Sequence, residues 1–242
     1  MRLYLNIGNT HTQVAKEDGG QPLLLEQYDT AEIKVLGHVP LLEKMPVEWE
    51  AFAVSVVPMA QSLLRKRYGD RIRFLAREDF PLDFSSVDAS TMGMDRIANA
   101  FAAYSIANQA VVVIDCGTCI NTMAVTVDGR VLGGAIMPGR MMLRKCLAAY
   151  TAQLPLLPMR DECPPPIGQN TLDAMAAGVD RGIVGSVHEI LRSTKALLGN
   201  DCLFIAAGGD ASYFLANISE LQSGPELLTI RGVMLASNLH NS

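Results

Sequence analysis

The stretch VVVIDCGTCINTMAV, Val111 to Val125, reads as strand, tight turn, strand. Four apolar residues lead into Asp115, Cys116-Gly117-Thr118 makes the turn, and an apolar-rich run leaves it. Glycine lets the backbone turn where a side chain would obstruct, and leaves room for a ligand to approach the main chain. Thr118 adds a hydroxyl. An unpaired carboxylate at the end of a buried strand is costly, so Asp115 is expected to meet a cation or to organise a site.

The same design opens the chain. RLYLNIGNTHTQVA, Arg2 to Ala15, gives an apolar strand, a Gly-Asn-Thr turn and a returning strand. Asn6 falls where Asp115 stands, Gly8 matches Gly117, and a hydroxyl follows within two positions. Two such hairpins predict a duplicated scaffold whose turns face each other across a cleft. Backbone N–H groups and hydroxyls in turns of this kind form a nest for an anion, most naturally phosphate. Neither GxxxxGK[ST] nor GxGxxG occurs, so the phosphate grip is of another kind.

Outward from the hairpins, the composition sets bounds. The 242 residues suffice for one large domain or two small ones. A net charge of −5 gives no general attraction to nucleic acid. The basic cluster Arg65, Lys66, Arg67, Arg71 and Arg73 has no interleaved aromatics and reads as a solvated face. No apolar run reaches membrane-spanning length, because Asp115 interrupts the best candidate. The N-terminus enters a strand without a basic segment and cleavage site, so a cytoplasmic protein is expected. Five cysteines without framework spacing fit a reducing compartment, and Cys116 with Cys119 reads as two small residues in a tight turn.

Trp49 to Val57 reads as a buried strand closed by Pro58, followed by a helix to Tyr68. GMDRIANAFAAYSIANQA is an Ala-rich helix with Gly93 to Arg96 at its start. Asp95 there could complement the helix dipole, or act as a general base beside a phosphate cleft. Later come GRVLGGAIMPG, a proline-rich connection through Pro164-Pro165-Pro166, and a long helix Leu172 to Leu198 after Gly168-Gln169-Asn170-Thr171. A buried strand ends in Gly208-Gly209-Asp210, and a helix near Gly232 to Leu239 closes the chain. Arg140 to about Gln153 reads as a helix whose Met141, Met142 and Leu143 are expected to be core rather than part of an interface. The whole predicts an α/β protein of two related lobes, 1–109 and 110–242. This is the actin/hexokinase/Hsp70 (ribonuclease H-like) plan with a cleft between the lobes.

Taken in order, the motifs resemble those of the type III pantothenate kinases. The pattern appears as Asn6-Ile7-Gly8-Asn9-Thr10, Ser55 to Pro58, Gly93-Met94-Asp95-Arg96 and Asp115-Cys116-Gly117-Thr118. It continues with Gly133 to Gly139, Leu154-Pro155, Gly168 to Thr171 and Gly208-Gly209-Asp210, covering essentially the whole chain. The resemblance implies transfer of the ATP γ-phosphate to pantothenate, the first step towards coenzyme A. It makes Asp95 the general base, and Gly93, Met94, Asp95, Arg96 and Thr171 the pantothenate contacts. Asn6, Ile7, Gly8, Asn9, Thr10 and Thr118 would hold Mg²⁺–ATP, and Asp115 a monovalent cation (K⁺ or NH4⁺). It also implies a homodimer, with no nucleic-acid or membrane partner. The chain departs from the pattern at Asn6, where the family carries an aspartate, and at Gln13, Ser86, Asn121 and Met123. Asn6 and Met123 favour the alternative, a catalytically impaired paralogue acting as a nucleotide-sensing or protein-binding regulator, and Asp95 and Asp115 oppose it.

Overall fold

Two sheets with the same strand arrangement organise the chain. The computed structural model describes residues 1–46 and 48–239. It divides into two units, residues 1–106 joined by the segment from Glu226 onwards, and Ala107–Pro225.

The first unit runs β1 (Arg2–Ile7), β2 (His11–Asp18), β3 (Gln21–Asp29), α1 (Thr30–Leu36), α2 (Pro40–Lys44), β4 (Glu50–Ser55), α3 (Pro58–Tyr68), β5 (Ile72–Phe74) and α4 (Met94–Ala107). Its sheet has the order β3-β2-β1-β4-β5; β1 pairs antiparallel with β2 and parallel with β4. A central strand covered on both faces is apolar at successive positions rather than alternating, and Leu3, Tyr4, Leu5 and Ile7 are all fully buried. Leu3, Leu5 and Ile7 pack with Ile33, Ala60 and Leu64, while Tyr4 packs with Ile97 and Phe101.

Helices α1 and α2 fall in a stretch that the sequence left unassigned. They bury only Thr30, Ile33 and Leu42, too few positions to set up a 3.6-residue period. The basic cluster is largely paired: Arg67 forks onto Glu43 and Arg73 bonds Asp79 at 2.8 Å. Arg71 lies 3.8 Å from the Trp49 ring centroid.

The second unit runs β6 (Val111–Cys116), β7 (Cys119–Val125), β8 (Val131–Gly133), β9 (Ile136–Pro138), α5 (Arg140–Tyr150), α6 (Thr171–Ala176), α7 (Gly182–Leu198), β10 (Leu203–Ala207), α8 (Ala211–Asn217) and β11 (Leu221–Ser223). The sheet order is β11-β10-β6-β7-β8, with β9 also pairing β7. Strands β10 and β6 are parallel, and β6 and β7 antiparallel. Thus β6, β7 and β10 repeat the roles of β1, β2 and β4, as the paired hairpins predicted. The expected single helix over Leu172 to Leu198 is instead α6, one turn of π geometry at Ala177–Arg181, and α7.

The last helix, α9 (Leu228–Leu239), corrects the expected second lobe of 110–242. Its Ile230, Val233, Met234 and Ala236 pack with Tyr4, Val54, Ile97 and Ala98 of the first unit. An apolar helical stripe announces burial but does not name the sheet that it covers. Gly232 sits where α9 meets α4: a Cβ there would stand 2.1 Å from the Ala98 carbonyl oxygen. Gly232→Ala should therefore destabilise the protein by about 1–3 kcal/mol, overriding the usual helix preference for alanine. Urea unfolding at constant m-value measures it.

Candidate active site

In the first unit the β1–β2 turn is held from behind. The Gly8 amide donates to the His11 carbonyl at 2.9 Å, and the Thr30 amide to the Thr10 carbonyl at 2.8 Å. The buried Thr30 hydroxyl donates to the Gly8 carbonyl at 2.7 Å and lies 3.0 Å from the Thr12 hydroxyl. This bracing satisfies the inner side of the turn and leaves Asn9 and Thr10 exposed.

Asn6 stands one residue before the end of β1, opposite Gln13, with Gln13 opposite Gln27 on β3. Their side chains form a ladder: Asn6 Nδ2 donates to Gln13 Oε1 at 3.4 Å, and Gln13 Nε2 to Gln27 Oε1 at 3.1 Å. The ladder is neutral throughout, and Asn6 Oδ1 is a buried acceptor with no hydrogen-bond partner in the structure.

Asp95 comes to the same end of this sheet. The Val56 amide donates to the Ile7 carbonyl at 3.1 Å, binding the segment after β4 to the end of β1. Gly93 lies against it, because a Cβ at 93 would be 3.3 Å from Val56 Cγ1 and 2.6 Å from Asp95 Oδ1. The glycine lets the Asp95 carboxylate fold back over the start of α4, where Oδ1 accepts from the Arg96 amide at 2.7 Å. Burial raises the Asp95 carboxyl above the usual carboxylate range, with the Arg96 amide and charge opposing the shift. Asn6 to Thr10 and Gly93 to Arg96 thus lie in one unit.

In the second unit Asp115 stands one residue before the end of β6, opposite Asn121, whose Nδ2 donates to Asp115 Oδ2 at 3.4 Å. Two other backbone segments close on it. Strand β9 delivers Gly139 against the Gly117-Thr118 turn, where the Gly139 amide donates to the Thr118 carbonyl at 3.0 Å. A Cβ at 139 would be 2.3 Å from the Gly117 carbonyl oxygen. Beyond β10, Gly208 (φ +93°) lies so close that a Cβ would be 2.6 Å from both Asp115 Oδ1 and the Cys116 carbonyl oxygen. The Asp210 amide donates to that same carbonyl at 2.9 Å.

Cys116 is fully buried, and burial with the nearby Asp115 and Asp210 charges pushes its thiol far up, so it is no nucleophile. Among the described residues no group of three His, Cys, Asp or Glu side chains could hold a metal ion. Thr171 is exposed at the first position of α6, and Asn170 caps that helix by accepting from the Asp173 amide at 3.0 Å.

A cluster that sequence reading missed lies behind these turns. Arg140, Arg144 and Asp180 are at most 1% exposed. Arg140 Nε donates to Asp180 Oδ1 at 2.9 Å and its Nη1 to Asp210 Oδ1 at 2.8 Å. Arg144 Nη2 bonds both Asp180 oxygens, at 2.8 and 2.7 Å. Helix α5 therefore buries its arginines and exposes Met142, against the expectation that its methionines were core. The available signal was the i, i+4 arginine pair. Its acidic partner lies forty residues along and turns inward in the π-geometry turn, which helical periodicity does not foresee.

The duplicated α/β units define the class as the actin/hexokinase-like fold. The chain is 11% identical to the ADP-bound MreB5 of Spiroplasma citri, covering 100% of this chain and 98% of that one (TM-score 0.55). It is 20% identical to a Baf family transcriptional activator protein of Campylobacter jejuni, covering 99% and 98% (TM-score 0.69). The model of the type III pantothenate kinase family matches residues 2–193. A type III pantothenate kinase of Myxococcus xanthus is 30% identical, covering 97% of each chain. The chain belongs to the type III pantothenate kinase family.

Because the folded Asp95 carboxyl titrates above its unfolded value, its favourable contribution is complete below the ordinary carboxylate range. It is lost as pH rises through the raised value. Asp95→Asn should therefore be more stable than the parent protein at pH 7 and lose that advantage in acid. Thermal melts from pH 3 to 8 read the crossing; a variant that is less stable at pH 7 would contradict the assigned burial cost.

Proposed function

We propose that the protein transfers the γ-phosphoryl group of ATP to the primary hydroxyl of pantothenate, the reaction for which its family is named. The observation that carries this reading is Asp95, a desolvated carboxylate with a raised proton affinity beside the turn that ends β1. Phosphoryl transfer depends mainly on positioning and on neutralising phosphate charge. A base whose proton affinity is lifted towards working pH takes the hydroxyl proton more readily than an ordinary carboxylate.

Gly93, Met94, Arg96 and Thr171 are assigned to pantothenate. The Gly8-Asn9-Thr10 and Gly117-Thr118 turns are assigned to ATP phosphates through backbone amides and hydroxyls, with Asn6 and Ile7 at the approach to the first. Mg²⁺ on ATP supplies charge neutralisation between the phosphates when bound. Such an ion is commonly held by one or two carboxylates besides water and phosphate; the orphaned Asn6 Oδ1 offers an acceptor oxygen there without the charge. Asp115 is assigned to a monovalent cation, K⁺ or NH4⁺, and the active form to a cytoplasmic homodimer. Among the described residues no helix is long and apolar enough to cross a membrane. The regulatory alternative is not favoured, since Asp95, Asp115 and Thr118 are all in place and the curated relatives bear the kinase name.

The test is ATP-dependent formation of 4′-phosphopantothenate by the purified protein with Mg²⁺, with and without K⁺. Potassium-dependent product is expected. Asp95→Asn should lower kcat by about 10²–10⁴-fold and remove the acid limb of the pH profile. Unchanged turnover in that variant would remove Asp95 as the base.

A further inference from the structure

Residues 151–170 run between α5 and α6 without regular secondary structure. Connections that long without secondary structure inside a compact unit are uncommon. Three arginines from elsewhere in the unit hold its carbonyls. Arg144 Nε donates to Pro158 O at 3.2 Å, Arg140 Nη2 donates to Arg160 O, and Arg181 Nε to Pro164 O. This part of the proline-rich segment is fastened by guanidinium groups in place of a ladder.

Arg140 does more than the other two. It is the first residue of α5, immediately after Gly139, whose backbone lies against the Gly117-Thr118 turn. Its side chain crosses to Asp210, which ends the Gly208-Gly209-Asp210 turn on the other side of Asp115. Its guanidinium also lies 3.4 Å from the Tyr213 ring centroid, and the Tyr213 hydroxyl donates to the Asp180 carbonyl at 3.2 Å. The Gly139-Arg140 step thus joins the two turns beside Asp115, through the Gly139 backbone and the Arg140 side chain, and the side chain also reaches the proline-rich segment. Arg144 shares Asp180 and grips the same segment, but its bonds run to Asp180, Arg140 O and Pro158 O rather than to the Asp210 turn.

We propose that Arg140 is a positioning residue for nucleotide binding: through Asp210 it fixes the Gly208–Asp210 turn against Asp115, and so sets the spacing between that turn and the Gly117-Thr118 turn assigned to ATP. The inference rests on the assignment of the Gly117-Thr118 hairpin to the nucleotide. The side chain acts on ATP through Asp210 and does not touch the phosphates or the acceptor. Loss of the contact therefore appears in nucleotide affinity and leaves pantothenate affinity alone.

The comparison of Arg140→Lys, Arg144→Lys and Asp210→Asn isolates this link. Lysine keeps the charge but cannot hold three partners in a planar fork. Both lysine variants weaken the Asp180 cluster and should lower Tm together. Only Arg140→Lys and Asp210→Asn should weaken ADP binding by calorimetry, by about tenfold, as expected for one charged hydrogen bond. The KM for ATP should rise in parallel, while the KM for pantothenate stays within about twofold. In Arg144→Lys the ADP affinity should stay within about twofold of the parent.

Equal losses of ADP affinity in the two lysine variants would make the cluster merely structural and overturn the proposal. Parental ADP affinity in Asp210→Asn would overturn it too, and this variant keeps the test open if Arg140→Lys fails to fold. A parent protein that binds ADP but leaves pantothenate unphosphorylated would refute the kinase reading, while the ADP series would still decide the role of Arg140.

Discussion

The second unit is built around an approach of backbone to backbone that tolerates no side chain. Around Asp115, the turn after β6, the entry to α5 and the turn after β10 come so close that a single methyl group at Gly139 or Gly208 would overlap a carbonyl oxygen. Amides donating from Gly139 to Thr118 and from Asp210 to Cys116 hold the three segments together. Such packing concentrates main-chain polar groups at one strand end. That is the arrangement by which turns bind phosphate without a long side chain.

Behind these turns the unit accepts an unusual cost. Two arginines and an aspartate are removed from water, and such a cluster is favourable only when nearly every donor and acceptor is used. Arg140 and Arg144 meet that condition through Asp180, Asp210 and the carbonyls of residues 140, 158 and 160. Well-packed apolar side chains could fill the same volume at comparable stability. What charge adds is direction: a guanidinium fork fixes the angle and spacing of each partner.

The two hairpins show how one scaffold carries different chemistry. Asn6 and Asp115 occupy the same place before their turns, and each faces an amide side chain on the returning strand, Gln13 or Asn121. In the first unit the result is a neutral ladder extending to Gln27; in the second it is a charged carboxylate beneath Gly208. The carboxylate at this end of the first sheet is instead Asp95. Its proton affinity is raised by burial.

Much of this was legible in the linear sequence because its causes are local. Apolar runs broken by Gly-Asn-Thr and Cys-Gly-Thr fixed both hairpins, and their repetition indicated two related α/β units. Gly139 after Pro138 marked a place where the chain approaches something closely. The tertiary structure alone decided what lies at the other end of each long-range contact. Helix α9 returns to the first sheet because its apolar stripe matches the face left between β1, β4 and α4. The arginines of α5 turn inward because Asp180, forty residues away, is brought to them by a π turn. Periodicity reports that a side chain is buried; only the assembled fold supplies the partner that makes burying a charge possible.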